Sequence, residues 1–129
     1  MSVAARAVQA EVRVVHRDGL NSTAEVSIAR TEQVFAGHYP DFAIFPGVCT
    51  IELVARSAEQ ALPEPGLTLG AIASTRFLHP IYPGDEVSIT NVWKREDQDW
   101  VLRSVVSSGE NVCVRARLRY PISGADEVR

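Results

Sequence analysis

Val48-Cys49-Thr50-Ile51-Glu52-Leu53-Val54-Ala55-Arg56-Ser57-Ala58-Glu59-Gln60-Ala61-Leu62 is the one stretch long enough, and free enough of breakers, for a substantial helix, and Pro63-Glu64-Pro65-Gly66 stops it. Its apolar positions (Val48, Ile51, Leu53, Val54, Ala55, Ala58, Ala61 and Leu62) cover more than a narrow stripe, which predicts a helix buried on several sides. On its N-terminal side, Glu11–Arg17 and Thr23–Ala29 are rich in Val and Ile and flank Asp18-Gly19-Leu20-Asn21-Ser22, the pattern of a β-hairpin. Between hairpin and helix, Thr31–Pro46 follows neither regular period and reads as an ordered loop with apolar anchors.

On the C-terminal side four further strands are expected: Leu67–Phe77, Asp85–Lys94, Trp100–Ser107 and Val112–Tyr120. The last alternates cleanly, Val112, Val114, Ala116, Leu118 and Tyr120 against Cys113, Arg115, Arg117 and Arg119, so one face is packed and the arginines form the solvated one. Two strands, a helix and four strands predict an α+β domain in which a curved antiparallel sheet wraps one central helix. Such a sheet leaves an edge and some helix surface uncovered, so the expectation is a dimer. No repeat or linker divides residues 1–129, which read as one domain ending in a frayed Ile122–Arg129 tail.

Composition narrows the function. The chain has 129 residues, 46% hydrophobic and 22% charged, which suits a core-forming domain and excludes a disordered or collagen-like chain. No apolar run spans a bilayer and Met1–Ala10 lacks the apolar core of a secretory signal, so a cytoplasmic location is expected. A formal charge of −3, from 13 basic and 16 acidic residues, offers no global positive field for nucleic acid. Cys49 and Cys113 stand 64 positions apart without metal-ligand spacing, so both are expected as reduced thiols, with Cys49 a packing residue and no metal site signalled. His16 and His79 have no positioned partner in the sequence and read as structural.

Chemistry concentrates in Gly37-His38-Tyr39-Pro40, Phe45-Pro46-Gly47-Val48 and Ile51-Glu52-Leu53. These place a histidine in a loop, a Pro-Gly pair at a helix N-terminus, and a carboxylate one turn inside that helix, 14 residues after the histidine. An acid/base pair beside the positive end of a helix suits a reaction that builds negative charge on a carbonyl oxygen.

At these residues the chain resembles the hot-dog-fold 3-hydroxyacyl-[acyl carrier protein] dehydratases, the FabZ-like group of bacterial fatty-acid synthesis. That family carries Gly-His-Phe-Pro, Pro-Gly-Val and Ile-Glu with the same step from His to Glu; here the stretch is GHYPDFAIFPGVCTIE. Downstream, Arg76-Phe77-Leu78-His79-Pro80-Ile81-Tyr82-Pro83-Gly84-Asp85 is similar to the family's Arg-Phe, Pro-Val, Pro-Gly-Asp segment, and the resemblance spans roughly residues 10–120. It implies a lyase of fatty-acid biosynthesis or, given the chain's departures from the family pattern, of a polyketide, polyene or other secondary pathway. His38 then takes the α-proton of a 3-hydroxyacyl thioester, the Gly47 N–H polarises the carbonyl, and Glu52 protonates the departing hydroxyl. Phe45, Val48, Phe77 and Tyr82 are candidate lining residues of an acyl tunnel. The resemblance also implies a site shared between two subunits and a substrate on acyl carrier protein or coenzyme A. No cofactor is called for, since the phosphopantetheine arm belongs to the substrate. An acidic carrier protein is expected to dock on an arginine patch near the tunnel mouth.

Three positions depart from the family pattern: Arg56 where Gln is usual, Ala43 where Pro is common, and Phe45 where a slimmer aliphatic residue stands. Arg56 is one turn after Glu52, and an ion pair there would hold Glu52 ionised; the expectation is that Arg56 points away. An acyl thioesterase and a non-catalytic hot-dog subunit of a heterodimer are the alternative readings. A FabA-like dehydratase/isomerase fits less well, since that branch has Asp where this chain has Glu52.

Overall fold

The computed structural model describes residues 10–29 and 45–122, so the loop carrying His38, the N-terminal stretch and the end of the C-terminal tail lie outside the described residues. Its elements are β1 (Arg13–Asp18), β2 (Asn21–Ser27), α1 (Gly47–Glu59), β3 (Ala71–Phe77), β4 (Glu86–Glu96), β5 (Asp99–Ser108) and β6 (Asn111–Pro121). All six expected strands and the helix form, with shifted ends. The helix stops at Glu59 and not at Leu62: the Ala61 N–H turns to the Ala58 carbonyl, three residues back, and Pro63 has no N–H to offer the Glu59 carbonyl. The Trp93 indole N–H donates to the Ala61 carbonyl at 2.8 Å and the Arg17 guanidinium to the Leu62 carbonyl at 2.7 Å. β3 begins only at Ala71, since Leu67 turns into the core and the Gly70 α-carbon lies against the Pro121 ring.

Six antiparallel strands form one sheet in the order β1-β2-β4-β5-β6-β3. The wrapped, curved sheet expected from the element order does not form: β1 and β3 are opposite edges that never meet, and the sheet is not strongly curled. The reason lies in the ladders. Sheets curl where bulges interrupt pairing; irregularities fall in the β1–β2, β3–β6 and β5–β6 ladders, but the β2–β4 and β4–β5 ladders run without one. Edge strand β3 is largely exposed, Ile72 at 53%, and does not fold over the helix.

The helix packs on the central strands of one face through Leu53, Val54 and Ala58, against a core that includes Ile89, Trp93, Leu102, Val106, Leu118 and Tyr120. The helix is buried over more than a narrow stripe, through Cys49, Thr50, Ile51, Leu53, Val54, Ser57 and Ala58, and is open along one strip turned away from the sheet, where Val48 and Glu59 are exposed and Glu52, Ala55 and Arg56 half-buried. Polar bonds fix the helix on its other sides. The Gln60 amide donates to the Val12 carbonyl at 2.8 Å and its oxygen accepts the Val14 N–H at 3.2 Å, extending the chain before β1 onto the helix end. Beneath the helix the Asn91 amide donates to Ser57 Oγ, which donates to the Val54 carbonyl. Among the described residues no helix is long and apolar enough to cross a membrane.

Candidate active site at the start of the helix

Pro46 precedes the helix in an extended conformation (φ −63°, ψ 144°), the geometry proline prefers, and Gly47 is the first helical residue. Among the described residues no side chain caps this end and no acidic residue stands in the first turn. It opens on a cavity of about 480 Å³ whose walls include Phe45, Gly47, Val48, Phe77, His79 and Val114. The loop before the helix is seated by the Phe45 N–H, which donates to the Ile81 carbonyl at 2.7 Å, and Phe45 itself is buried.

A side chain at Gly47 would have to move its neighbour. A Cβ built on it would lie 2.6 Å from Cε1 and 2.8 Å from Cζ of Phe77, so the ring of the last β3 residue rests on the bare α-carbon. The Pro83-Gly84-Asp85 turn follows the wall residues His79, Pro80 and Ile81. Gly84 has φ 91°, a conformation open to glycine, while the Asp85 carboxylate accepts the Tyr82 N–H at 2.9 Å. The same turn clamps the end of β2: the Ile28 N–H donates to the Asp85 carbonyl and the Gly84 N–H to the Ile28 carbonyl.

Of the residues singled out from sequence, Phe45, Gly47, Val48 and Phe77 meet in this cavity. Tyr82 does not: its side chain is exposed and stands edge-on to His79, with ring centroids 6.4 Å apart. Glu52 is absent from the walls as well. It lies on the outward stripe of the helix, where Arg56 Nε donates to its Oε2 at 3.3 Å, contrary to the expectation that Arg56 points away. Arg56 also donates to the Ala10 carbonyl at 3.3 Å, which draws its side chain back along the helix to Glu52. His38 lies outside the described residues.

His79, read as structural from the sequence, is a wall residue of the cavity. Its Nδ1 is 2.9 Å from the Pro80 carbonyl oxygen, which can only accept, so Nδ1 carries the proton and Nε2 is left as the acceptor in the neutral ring. The available signal was its place inside the Arg76–Asp85 motif. Cys49 and Cys113 are both buried, and burial pushes the Cys113 thiol up. Among the described residues no His, Cys, Asp and Glu gather as metal ligands.

Residues 14–116 match the family model described as ApeI-like, ApeI dehydratase. The chain belongs to the ApeI-like family. Among curated proteins this ApeI-like chain is 30% identical over 117 residues to the 3-hydroxyacyl-[acyl-carrier-protein] dehydratase FabZ of Levilactobacillus brevis, covering 84% of this chain and 78% of that one. Among solved structures it is similar to the dehydratase heterocomplex ApeI:P from Xenorhabdus doucetiae, with TM-score 0.68 and 19% identity over 87% of this chain and 99% of the other. The smu.793 protein of Streptococcus mutans, bound to acetyl CoA, superposes with TM-score 0.73 at 13% identity, covering 88% and 90% of the two chains. At these identities the structures speak to the fold, which is hot-dog-like: one helix on a six-stranded antiparallel sheet.

Proposed function

We propose that this ApeI-like chain dehydrates a 3-hydroxyacyl thioester, carried by acyl carrier protein or coenzyme A, to the trans-2-enoyl thioester. The observation that carries the reading is Gly47: a helix N-terminus without a side-chain cap among the described residues, its first residue bare of side chain, at a cavity with Phe45, Val48 and Phe77 in its walls. A thioester carbonyl placed there meets a backbone N–H and the positive end of the helix, which stabilise the enolate-like charge formed when the α-proton leaves. His38 is the base that takes that proton, and Glu52 supplies one to the 3-hydroxyl, so that the Cα–H and Cβ–O bonds break and water departs. The dehydratase names of the curated relative and of the family support the assignment.

The outward position of Glu52 bears on assembly. In its own chain it does not reach the cavity that holds Gly47. The proposed site is therefore completed across an interface, in which Glu52 of one copy, or of a related hot-dog subunit, faces the cavity of the other. The protein named as a dehydratase heterocomplex offers a precedent among its structural neighbours.

A specific observation favours a second reading. A carboxylate held by a guanidinium accepts hydrogen bonds and does not donate a proton, so the Glu52–Arg56 pair suits a non-catalytic subunit. Incubation of the purified chain with a 3-hydroxyacyl carrier protein, followed by intact-mass detection, separates the readings. Loss of water supports dehydration, loss of the acyl group indicates a thioesterase, and an unchanged mass indicates the non-catalytic subunit.

A further inference from the structure

The face of the sheet turned away from the helix carries a second concavity, of about 320 Å³, whose walls include Arg76 from β3, Arg103 from β5, and Arg115 and Arg117 from β6. The register makes this an unusual arrangement. Arg76 is directly opposite Arg115 across the β3–β6 ladder, and Arg103 directly opposite Arg117 across β5–β6. Like charges opposite one another on a sheet repel. Arg119, two residues farther along β6, shows the usual remedy, with Asp99 at 3.3 Å and Glu96 at 3.7 Å. Among the described residues no carboxylate pairs with any of the other four. The acidic residues nearest in the register on this face, Asp99 and Glu96, are the ones taken by Arg119, and Glu25 and Glu86 are on β2 and the far end of β4. The Arg117 Nε–H is moreover buried and has no acceptor.

We propose that these four arginines form a binding site for a phosphorylated small molecule, separate from the cavity at Gly47. The two cavities are back to back: Phe77 and Val114 face one, and their strand neighbours Arg76 and Arg115 face the other. Guanidinium groups match phosphate oxygens bidentately, and four of them around one hollow supply donors and charge for more than one phosphate. The buried Nε–H of Arg117 selects a small ligand over a protein surface, because its acceptor must enter the hollow to reach it. Bound anion also cancels the cross-strand repulsion, so occupancy stabilises the fold.

The full-length chain at low ionic strength, titrated with inorganic pyrophosphate and with adenosine 3′,5′-bisphosphate by calorimetry and thermal shift, tests this. Saturable binding of one or both is expected, with a rise in Tm; tighter binding of the bisphosphate assigns a nucleotide-borne phosphate, tighter pyrophosphate a free one. Arg103→Gln and Arg117→Gln should each weaken binding at least about tenfold, while Arg119→Gln, already neutralised by Glu96 and Asp99, leaves it within about twofold. If Arg117→Gln fails to fold, Arg76→Gln on the edge strand takes its place, with the same loss expected. No saturable binding of either phosphate overturns the proposal. So does equal weakening by Arg119→Gln, which would mean diffuse charge, and so does binding of an acidic carrier protein at these arginines with neither phosphate bound.

Discussion

The ring of Phe77 rests on the α-carbon of Gly47, with Cε1 only 2.6 Å from where a Cβ would stand. This contact ties the end of β3 to the first residue of the helix, so the cavity wall and the amide facing it move together. Gly47→Ala must displace the ring, and because Phe77 is 56% exposed the ring can swing outward. The expected stability loss is therefore small, about 1 kcal/mol or less, while dehydration falls at least about tenfold as the wall shifts away from the amide. A double-mutant cycle with Phe77→Ala checks this in melting and kinetics: the two changes should be non-additive.

Arg56→Gln removes a half-buried i,i+4 ion pair with Glu52. Stability should fall by about 0.5 kcal/mol, measured by urea denaturation. The Glu52 side chain, released from its partner, is free to reach across the proposed interface, so the variant is expected to dehydrate faster than the wild type. Glu52→Gln should lose the activity. Unchanged, absent activity in all three proteins would favour the non-catalytic subunit.

His38→Ala should cut turnover at least about a hundredfold with the melting temperature preserved, as for loss of a general base. His79→Ala is the matched control. Its ring is a wall residue anchored to the Pro80 carbonyl, so the expected effect is on KM more than on kcat. A larger kcat loss for His79→Ala than for His38→Ala would move the base to β3's end.

Alkaline pH tests the core. Burial, with Glu59 adding repulsion, raises the Tyr120 phenol above its ordinary value of 10.0, and burial raises the Cys113 thiol above 9.0. Both groups are held neutral in the fold and ionise more readily when unfolded. Their contribution is thus fully present below about pH 9 and is lost as pH rises through and above the unfolded values. Melting temperature should fall from pH 9 upward, and Tyr120→Phe should blunt the fall above pH 10. Since the Tyr120 hydroxyl is buried without a partner, the same substitution should leave stability at pH 7 unchanged or higher.

The sequence by itself determined the elements. Period-two alternation placed Val114, Ala116, Leu118 and Tyr120 on the packed face of β6, and the breakers around residues 48–62 marked the helix, because both signals are local. It also marked Gly47, since a Pro-Gly pair before a helical run is a local sign of a helix start. What only tertiary structure decided is everything that depends on the partners of a strand or of a long side chain. Cys113 is buried and Val112 half-exposed, the reverse of the alternation, because a bulge pairs Val106 with Val114 and Ser107 with Val112 and leaves Cys113 as the extra residue. The open sheet, the seat of Phe77 on Gly47 and the Glu52–Arg56 pair arise in the same way. So does the conversion of a solvated arginine stripe into a hollow of opposed, unpaired charges: β6 pairs with β5 on one side and β3 on the other, and register between segments distant in sequence sets which charges face one another.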